Sequence, residues 1–240
     1  MFAFRDTVDL GPGSPRVEVG FTDASIDLQS RPHKLAGFIE ALTAVETEAG
    51  VGFARLEQVH GDVVVDVVEP WSAGLQRPGQ VPIADALVTA RRDVGLMIRV
   101  ADCVPILLAD PAAGVIGAVH AGRKGVALDI VGRAVERLRD RGAAEVRAWI
   151  GPHVCGRCYE VPEEMRAAIA AAVPATHAIT SWGTPSLDLG AGVRAQLAAA
   201  GVPAARITTV DRCTLEDERL HSHRRGGEKS GRLAGLVWFS

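Results

Sequence analysis

The sequence predicts an α/β or α+β fold. Short apolar or β-branched runs alternate with longer segments of helical period, a pattern that favours mixed layers over a bundle or a sandwich. No repeat, low-complexity linker or charge block divides the chain, so residues 1–240 are read as one domain.

RPHKLAGFIEALTAVETEAG reads as the first helix, because Leu35, Phe38, Ile39 and Leu42 recur at helical spacing and Gly50 stands where glycine favours the position just past a helix. VVVDVV is a β-branched strand candidate. Between Glu69 and Val81, Pro70, Gly74, Pro78 and Gly79 mark a loop of the kind that borders a site. From Ile83 onward, ALVTA, the two runs flanking Cys103 and VIGAVH are too short and too β-branched for long helices. Val126, Ile130, Val131, Ala134 and Leu138 then form one face of a helix predicted to begin just after Gly122. EVRAWIGP is a strand running into a turn, and PEEMRAAIAAAV is a helix with Pro162 at its start. LDLGAGVRAQLAAAG is a helix closed by Gly201, RITTV a strand, and LAGLVWFS the last strand.

Composition excludes several classes of function. The 240 residues, 48% hydrophobic and 23% charged, are ordinary for a globular chain able to bury a sizeable core. A net charge of −3 leaves no basic footprint for nonspecific nucleic-acid binding, so no nucleic-acid partner is expected. MFAFRDTVDLGPG lacks the basic-then-apolar order of a secretory signal, and the apolar region from Val94 to Ala109 is interrupted by Arg99 and Asp102 and is too short to span a bilayer. The expected location is cytoplasmic, with no membrane association and with Cys103, Cys155, Cys158 and Cys213 as thiols. A monomer is compatible with the sequence, which does not encode oligomeric state in any pattern read here.

Three segments carry the chemistry: EQVHG around His60, ADCVP around Cys103 and AVHAG around His120. A lone Cys or His is more often packed than coordinating. Here each adjoins an apolar run that gives way to a turn, where α/β proteins place reactive groups. Two imidazoles and a thiol from separate segments suit a three-ligand zinc site with a position left for water or substrate. The same Cys103 and His120 suit a cysteine hydrolase, thiolate nucleophile and general base. His120 also stands just before a predicted helix N-terminus, where free N–H groups and Lys124 favour an anion. HSHRRGGEKSGR gathers Arg224, Arg225, Lys229 and Arg232 in a glycine-containing loop suited to phosphate. The CGRC spacing at Cys155 and Cys158 can tune a thiol or bind metal, but its partner pair is missing from the sequence, and a turn that shapes the pocket is the plainer reading.

Taken with the ADA motif at Asp85, the IGP stretch at Ile150, DRCT at Asp211 and HRRGGEKSGR, the ordered set resembles the laccase-domain family, also called the multicopper polyphenol oxidoreductase-like or purine nucleoside phosphorylase family, from about Arg55 to the C-terminus. The resemblance implies layered α/β/β/α architecture with mixed sheets, a distant kinship with bacterial deamidating toxins, and His60, Cys103 and His120 as zinc ligands. It implies phosphorolysis of adenosine- and inosine-type nucleosides, deamination of adenosine, and for some members peptidoglycan editing; the older name implies copper oxidation. Copper ranks behind zinc, because a multicopper cluster consumes many imidazoles and only seven histidines are present. Purine nucleosides and phosphate are the expected small-molecule partners, with Cys103, His120 and Arg225 catalytic and Lys124, Arg225 and Arg232 holding substrate or phosphate. In the HAGRKG segment Arg123 stands where the family has Trp, and FTDASIDLQS departs from the family's glycine-rich stretch. Asp85, Asp102 and Glu57 are the carboxylates available for proton transfer.

Overall fold

The structure, a computed structural model, describes residues 1–11, 13, 16–31, 34–69 and 81–240. The loop read between Glu69 and Val81 therefore falls on residues outside the described ones, as do two residues at the start of the segment read as the first helix.

In chain order the strands and helices are β1 (Phe2–Val8), β2 (Val17–Thr22), α1 (Leu35–Ala49), β3 (Phe53–Ala54), β4 (Val64–Asp66), β5 (Ala86–Thr89), β6 (Gly95–Val100), β7 (Val104–Asp110), β8 (Val115–Ala121), α2 (Arg123–Ala127) and α3 (Ile130–Asp140). There follow β9 (Arg147–Ile150), α4 (Glu163–Ala172), β10 (His177–Ile179), β11 (Pro185–Leu187), α5 (Leu189–Ala199), β12 (Ile207–Thr209), α6 (His223–Gly226) and β13 (Leu233–Phe239). One sheet has the order β1-β2-β13-β6-β3, the other β12-β9-β7-β8-β5-β4, and β10 pairs with β11 apart from both. Both large sheets are mixed: β3 runs parallel to β6, β12 to β9 and β4 to β5, while the other pairs are antiparallel.

Burial explains the layering. Phe21, Leu96 and Ile98 of the first sheet meet Leu107, Ile116 and Trp149 of the second in one apolar cluster. On the outer face of the first sheet, α1 sets Phe38, Leu42 and Val45 against Met97, Leu236 and Trp238. On the outer face of the second, Val131 and Leu138 of α3 and Val193 and Leu197 of α5 cover Ile106, Leu108 and Ile150. The order is α/β/β/α, as the resemblance implies. Because both faces of β7 are covered, all seven of its residues are buried and its sequence shows no polar alternation. Trp149 donates its indole N–H to Asp6 at 2.8 Å, a polar tie between the sheets.

Two features differ from the expectations. The helix after Gly122 is broken into α2 and α3, because Asp129 adopts a left-handed φ of 58° and its carboxylate caps the second helix by accepting from the Gly132 N–H at 3.2 Å. Strands β1 and β2, which the sequence reading did not assign, form one end of the first sheet.

The chain crosses between the sheets several times, and the crossing from β6 to β7 builds the site. Strand β6 belongs to the first sheet and β7 to the second, joined by Ala101, Asp102 and Cys103. Asp102 turns the corner with φ 86°, unusual for a residue with a Cβ. Its carboxylate accepts from the Thr214 hydroxyl and the Arg224 backbone N–H, both at 2.6 Å, and its carbonyl accepts from the Val154 N–H at 3.0 Å. Among the described residues, no helix is long and apolar enough to cross a membrane.

The spacing between sheets is set partly by Gly151, where a Cβ would lie 2.4 Å from the Phe21 ring. Gly151→Ala is expected to destabilise the fold by about 1–3 kcal/mol, the usual cost of overpacking a core. Urea unfolding should show a lower midpoint at constant slope; an unchanged midpoint would mean that Phe21 yields without cost.

Candidate active site

A cavity of about 790 Å³ opens beside the sheet-to-sheet step, lined among others by Gln58, His60, Cys103, His120, Tyr159 and Arg232. Its volume lies in the range of small-molecule sites.

The reactive floor is assembled by strand register. Ala86 of β5 faces Val119 of β8, so Asp85 lies beside His120, whose backbone N–H donates to the Asp85 carbonyl at 2.8 Å. The Asp85 carboxylate is fully buried and accepts from His120 Nδ1 at 2.7 Å. It also accepts the backbone N–H groups of Val59, His60 and Gly61, at 3.3, 2.9 and 2.6 Å. Those bonds hold His60 at φ 63°, a left-handed conformation, and aim its ring at His120. The two imidazoles stand edge to face with centroids 4.8 Å apart. A carboxylate only accepts, so Nδ1 of His120 carries the proton and Nε2 is left for the Cys103 side. The ligand atoms of His60, Cys103 and His120 lie within 4.8 Å of one another. Gly122 permits this approach, since a Cβ there would fall 2.5 Å from the His60 ring and 3.2 Å from the Cys103 sulfur.

The electrostatics follow from these contacts. Burial opposes ionisation of the Cys103 thiol, yet His120 and His60 beside it hold its pKa down to about 6. Burial likewise opposes charge on His120, but Cys103 and Asp85 push it up to about 9. Burial works against the Asp85 carboxylate too, and His120 with the backbone N–H groups of Gly61 and His60 keeps it below the ordinary carboxylate range. The metal-free floor is therefore a thiolate–imidazolium pair between about pH 6 and pH 9.

The rest of the lining is rich in cations. Arg31, Arg99, Lys124, Arg123, Arg224 and Arg232 all line the cavity. Arg99, visible in the sequence only as a break in an apolar stretch, is half-buried and donates to Ser30 Oγ at 2.5 Å and to the Leu56 carbonyl at 3.1 Å. Burial, then the nearby guanidinium groups of Arg55 and Arg232, lower its pKa to about 10. Like charges are thus held together at one end of the cavity. Arg224 lies 5.0 Å over the Tyr159 ring and donates to the Glu160 carbonyl at 3.0 Å.

Arg225 is the exception among the expected cations. Its guanidinium donates to the carbonyls of Thr214 at 2.8 Å, Leu215 at 2.9 Å and Asp217 at 3.4 Å, and also to that of Leu220. It clamps a loop and does not line the cavity; Arg224 faces the cavity in its place. Arg224 and Arg225 share one loop yet differ in placement, because adjacent side chains on the short helix α6 point in different directions. Lys124 and Arg232 do line the cavity. Of the carboxylates, Asp85 and Asp102 are engaged by the donors named above, which leaves Glu57 on the cavity wall.

Fold and floor together define an α/β/β/α protein with a two-histidine, one-cysteine centre beneath a basic wall. The family model described as multi-copper polyphenol oxidoreductase laccase matches residues 29–240, and the chain belongs to that family. It is 45% identical to a purine nucleoside phosphorylase of Streptomyces coelicolor, an alignment covering 100% of both chains. It is 51% identical to a purine nucleoside phosphorylase of Streptomyces griseus over 77% of this chain and 73% of the relative. Among solved structures, the YfiH hypothetical protein of Bacillus licheniformis superposes with a TM-score of 0.82 at 25% identity, covering 97% of this chain and 98% of that one.

The expectation of zinc is corrected by these findings. The matched family is described by copper chemistry, and the donors that the fold collects are soft: two imidazoles with a thiol at the cavity floor, and a second cysteine-rich cluster nearby. Together they point to copper more than to zinc.

In metal-free protein, alkylation of Cys103 should titrate with a midpoint near pH 6, because the depressed pKa keeps the thiolate populated above that value; a midpoint near that of a free thiol, followed by peptide mass spectrometry, would contradict the paired floor. Arg225→Ala should lower stability by about 1 kcal/mol or less, since water can reach most of the carbonyls it releases, while leaving phosphate dependence in place, the reverse of the pattern for a phosphate ligand.

Proposed function

We propose that the cavity is the active site of a purine nucleoside phosphorylase acting on adenosine- and inosine-type nucleosides. The observation that carries the reading is the pairing, in one cavity, of a Cys–His–His floor with a wall of like-charged guanidinium groups that an anion would relieve. The relatives named as purine nucleoside phosphorylases support the same general activity.

In this reading phosphate binds between Lys124, Arg224 and Arg232, with Arg99 contributing charge from behind. A phosphate oxygen forms a bond to C1′ of the ribose while the C1′–N9 bond breaks and its electron pair leaves on the purine. A proton delivered to the base completes the step, yielding ribose 1-phosphate and the free purine. Glu57, which lines the cavity, is the carboxyl assigned to move that proton in this reading, since Asp85 and Asp102 already serve as acceptors. Tyr159 closes the wall beneath Arg224. The donor set fits copper, which His60, Cys103 and His120 would hold; when bound it supplies a Lewis acid to the cavity. Deamination of adenosine, in which water replaces the 6-amino group and ammonia leaves, is the second activity assigned to the same cavity. The context we assign is the cytoplasm.

A second reading is favoured by one alignment. Asp85, His120 and Cys103 form the carboxylate, imidazole and thiolate series of a cysteine hydrolase.

Arg232→Ala should raise the phosphate concentration needed for half-maximal phosphorolysis by about tenfold or more, the loss expected for one charge-assisted contact, with phosphate-independent deamination changed far less. The measurement is product analysis with adenosine, inosine and phosphate. Equal loss of both activities would remove Arg232 from phosphate binding, and an acyl adduct on Cys103 during turnover of an amide would replace the nucleoside reading with the hydrolase.

A further inference from the structure

Outside the cavity the fold assembles a second thiol cluster from two turns far apart in sequence. Cys155 and Cys158 bracket one turn, in which the N–H groups of Cys158 and Tyr159 both donate to the Cys155 carbonyl at 3.0 Å. Cys213 and Glu216 bracket the other, where the Asp217 N–H donates to the Cys213 carbonyl at 3.0 Å. The missing mate of the Cys-x-x-Cys pair is thus a Cys-x-x-Glu pair at the same spacing. A parallel bridge between His153 and Cys213 brings the turns side by side.

Ligand atoms of Cys155, Cys158, Cys213 and Glu216 all lie within 4.8 Å of one another. Cys158 is buried, and its thiol donates to Glu216 Oε1 at 3.4 Å. The Cys155 backbone N–H donates to the Cys213 sulfur at 3.4 Å, the kind of contact that stabilises a sulfur bearing negative charge. Four acidic groups face one another here, with the Arg157 guanidinium 3.9 Å from Glu216 as the neighbouring cation. Burial, and then Cys155, Cys213 and Glu216 around it, push the Cys158 thiol well above its ordinary value. A cation at the centre would relieve that crowding.

We propose that Cys155, Cys158 and Cys213, with Glu216 at the fourth corner, form a second metal site for a thiophilic monovalent cation of the cuprous type. Thiolate-rich sets select such ions, and binding releases the thiol protons to solvent while leaving the metal's oxidation state unchanged. The site is positional. Cys213 precedes Thr214, whose hydroxyl holds Asp102, and Cys158 precedes Tyr159, whose ring lies under Arg224. An ion joining the two turns therefore pins both supports of the cavity rim.

The test uses the full chain carrying Cys103→Ala, which removes the sulfur of the cavity floor. Cuprous ion is titrated anaerobically against a chromophoric chelator, with the urea-unfolded chain as reference. The expected result is one ion per chain withheld at least tenfold more strongly by the folded protein, with three sulfur neighbours by X-ray absorption. Adding Cys155→Ser and Cys213→Ser should abolish that excess. Glu216→Gln, a milder change that keeps all three thiols, should weaken retention without removing the sulfur neighbours, so the site remains testable if the serine variants do not fold. Equal retention by folded and unfolded chains, fewer than three sulfur neighbours, or a Cys155–Cys158 disulfide in protein isolated under reducing conditions would overturn the proposal.

Discussion

The Asp85 carboxylate is the contact on which the rest of the site depends. It is fully buried, and its two oxygens serve four donors: the ring of His120 and three successive N–H groups leading into Gly61. His60 sits on a left-handed residue that a free loop would abandon, and His120 would lose its tautomer without a partner at Nδ1. The cost of burying one charge is offset by its organising two imidazoles at once.

That organisation is possible because the two sheets are joined where they are. Strand β8 supplies His120, the segment after β3 supplies His60, and the step between β6 and β7 supplies Cys103, so the three donors come from both sheets and meet only where the layers adjoin. The same step presents Asp102 to Thr214 and Arg224, which ties the basic wall to the reactive floor. The basic wall and the Cys–His–His floor therefore share one frame, and a shift in either loop is felt by the other.

Much of this was legible in the sequence where local pattern and tertiary demand agreed. The apolar runs of β6, β7 and β8, the helix ending at Gly50 and the three donor segments all follow from period and punctuation. Legibility failed where a residue's role is decided by distant partners. Asp129 breaks a well-patterned helix because its own carboxylate can cap the next one. Arg99 reads as an interruption but is a half-buried cation lining the cavity, and Arg225 reads as a ligand but is held by carbonyls of its own loop. Strands β1 and β2 escaped because β1 mixes charged and apolar residues without clean alternation. The identity of the metal is not legible either, since spacing alone does not separate zinc from copper at a set of nitrogen and sulfur donors.

The step through Ala101, Asp102 and Cys103 has a thermodynamic consequence. A ligand bound there touches residues of both layers, so separating the layers also means releasing the ligand. Occupancy would then raise the free energy of global opening by mass action, instead of merely quieting a surface loop. Hydrogen exchange in the middle strands of both sheets would respond together to a ligand that contacts neither strand centre. The protein would register an occupied cavity as a more cohesive molecule throughout.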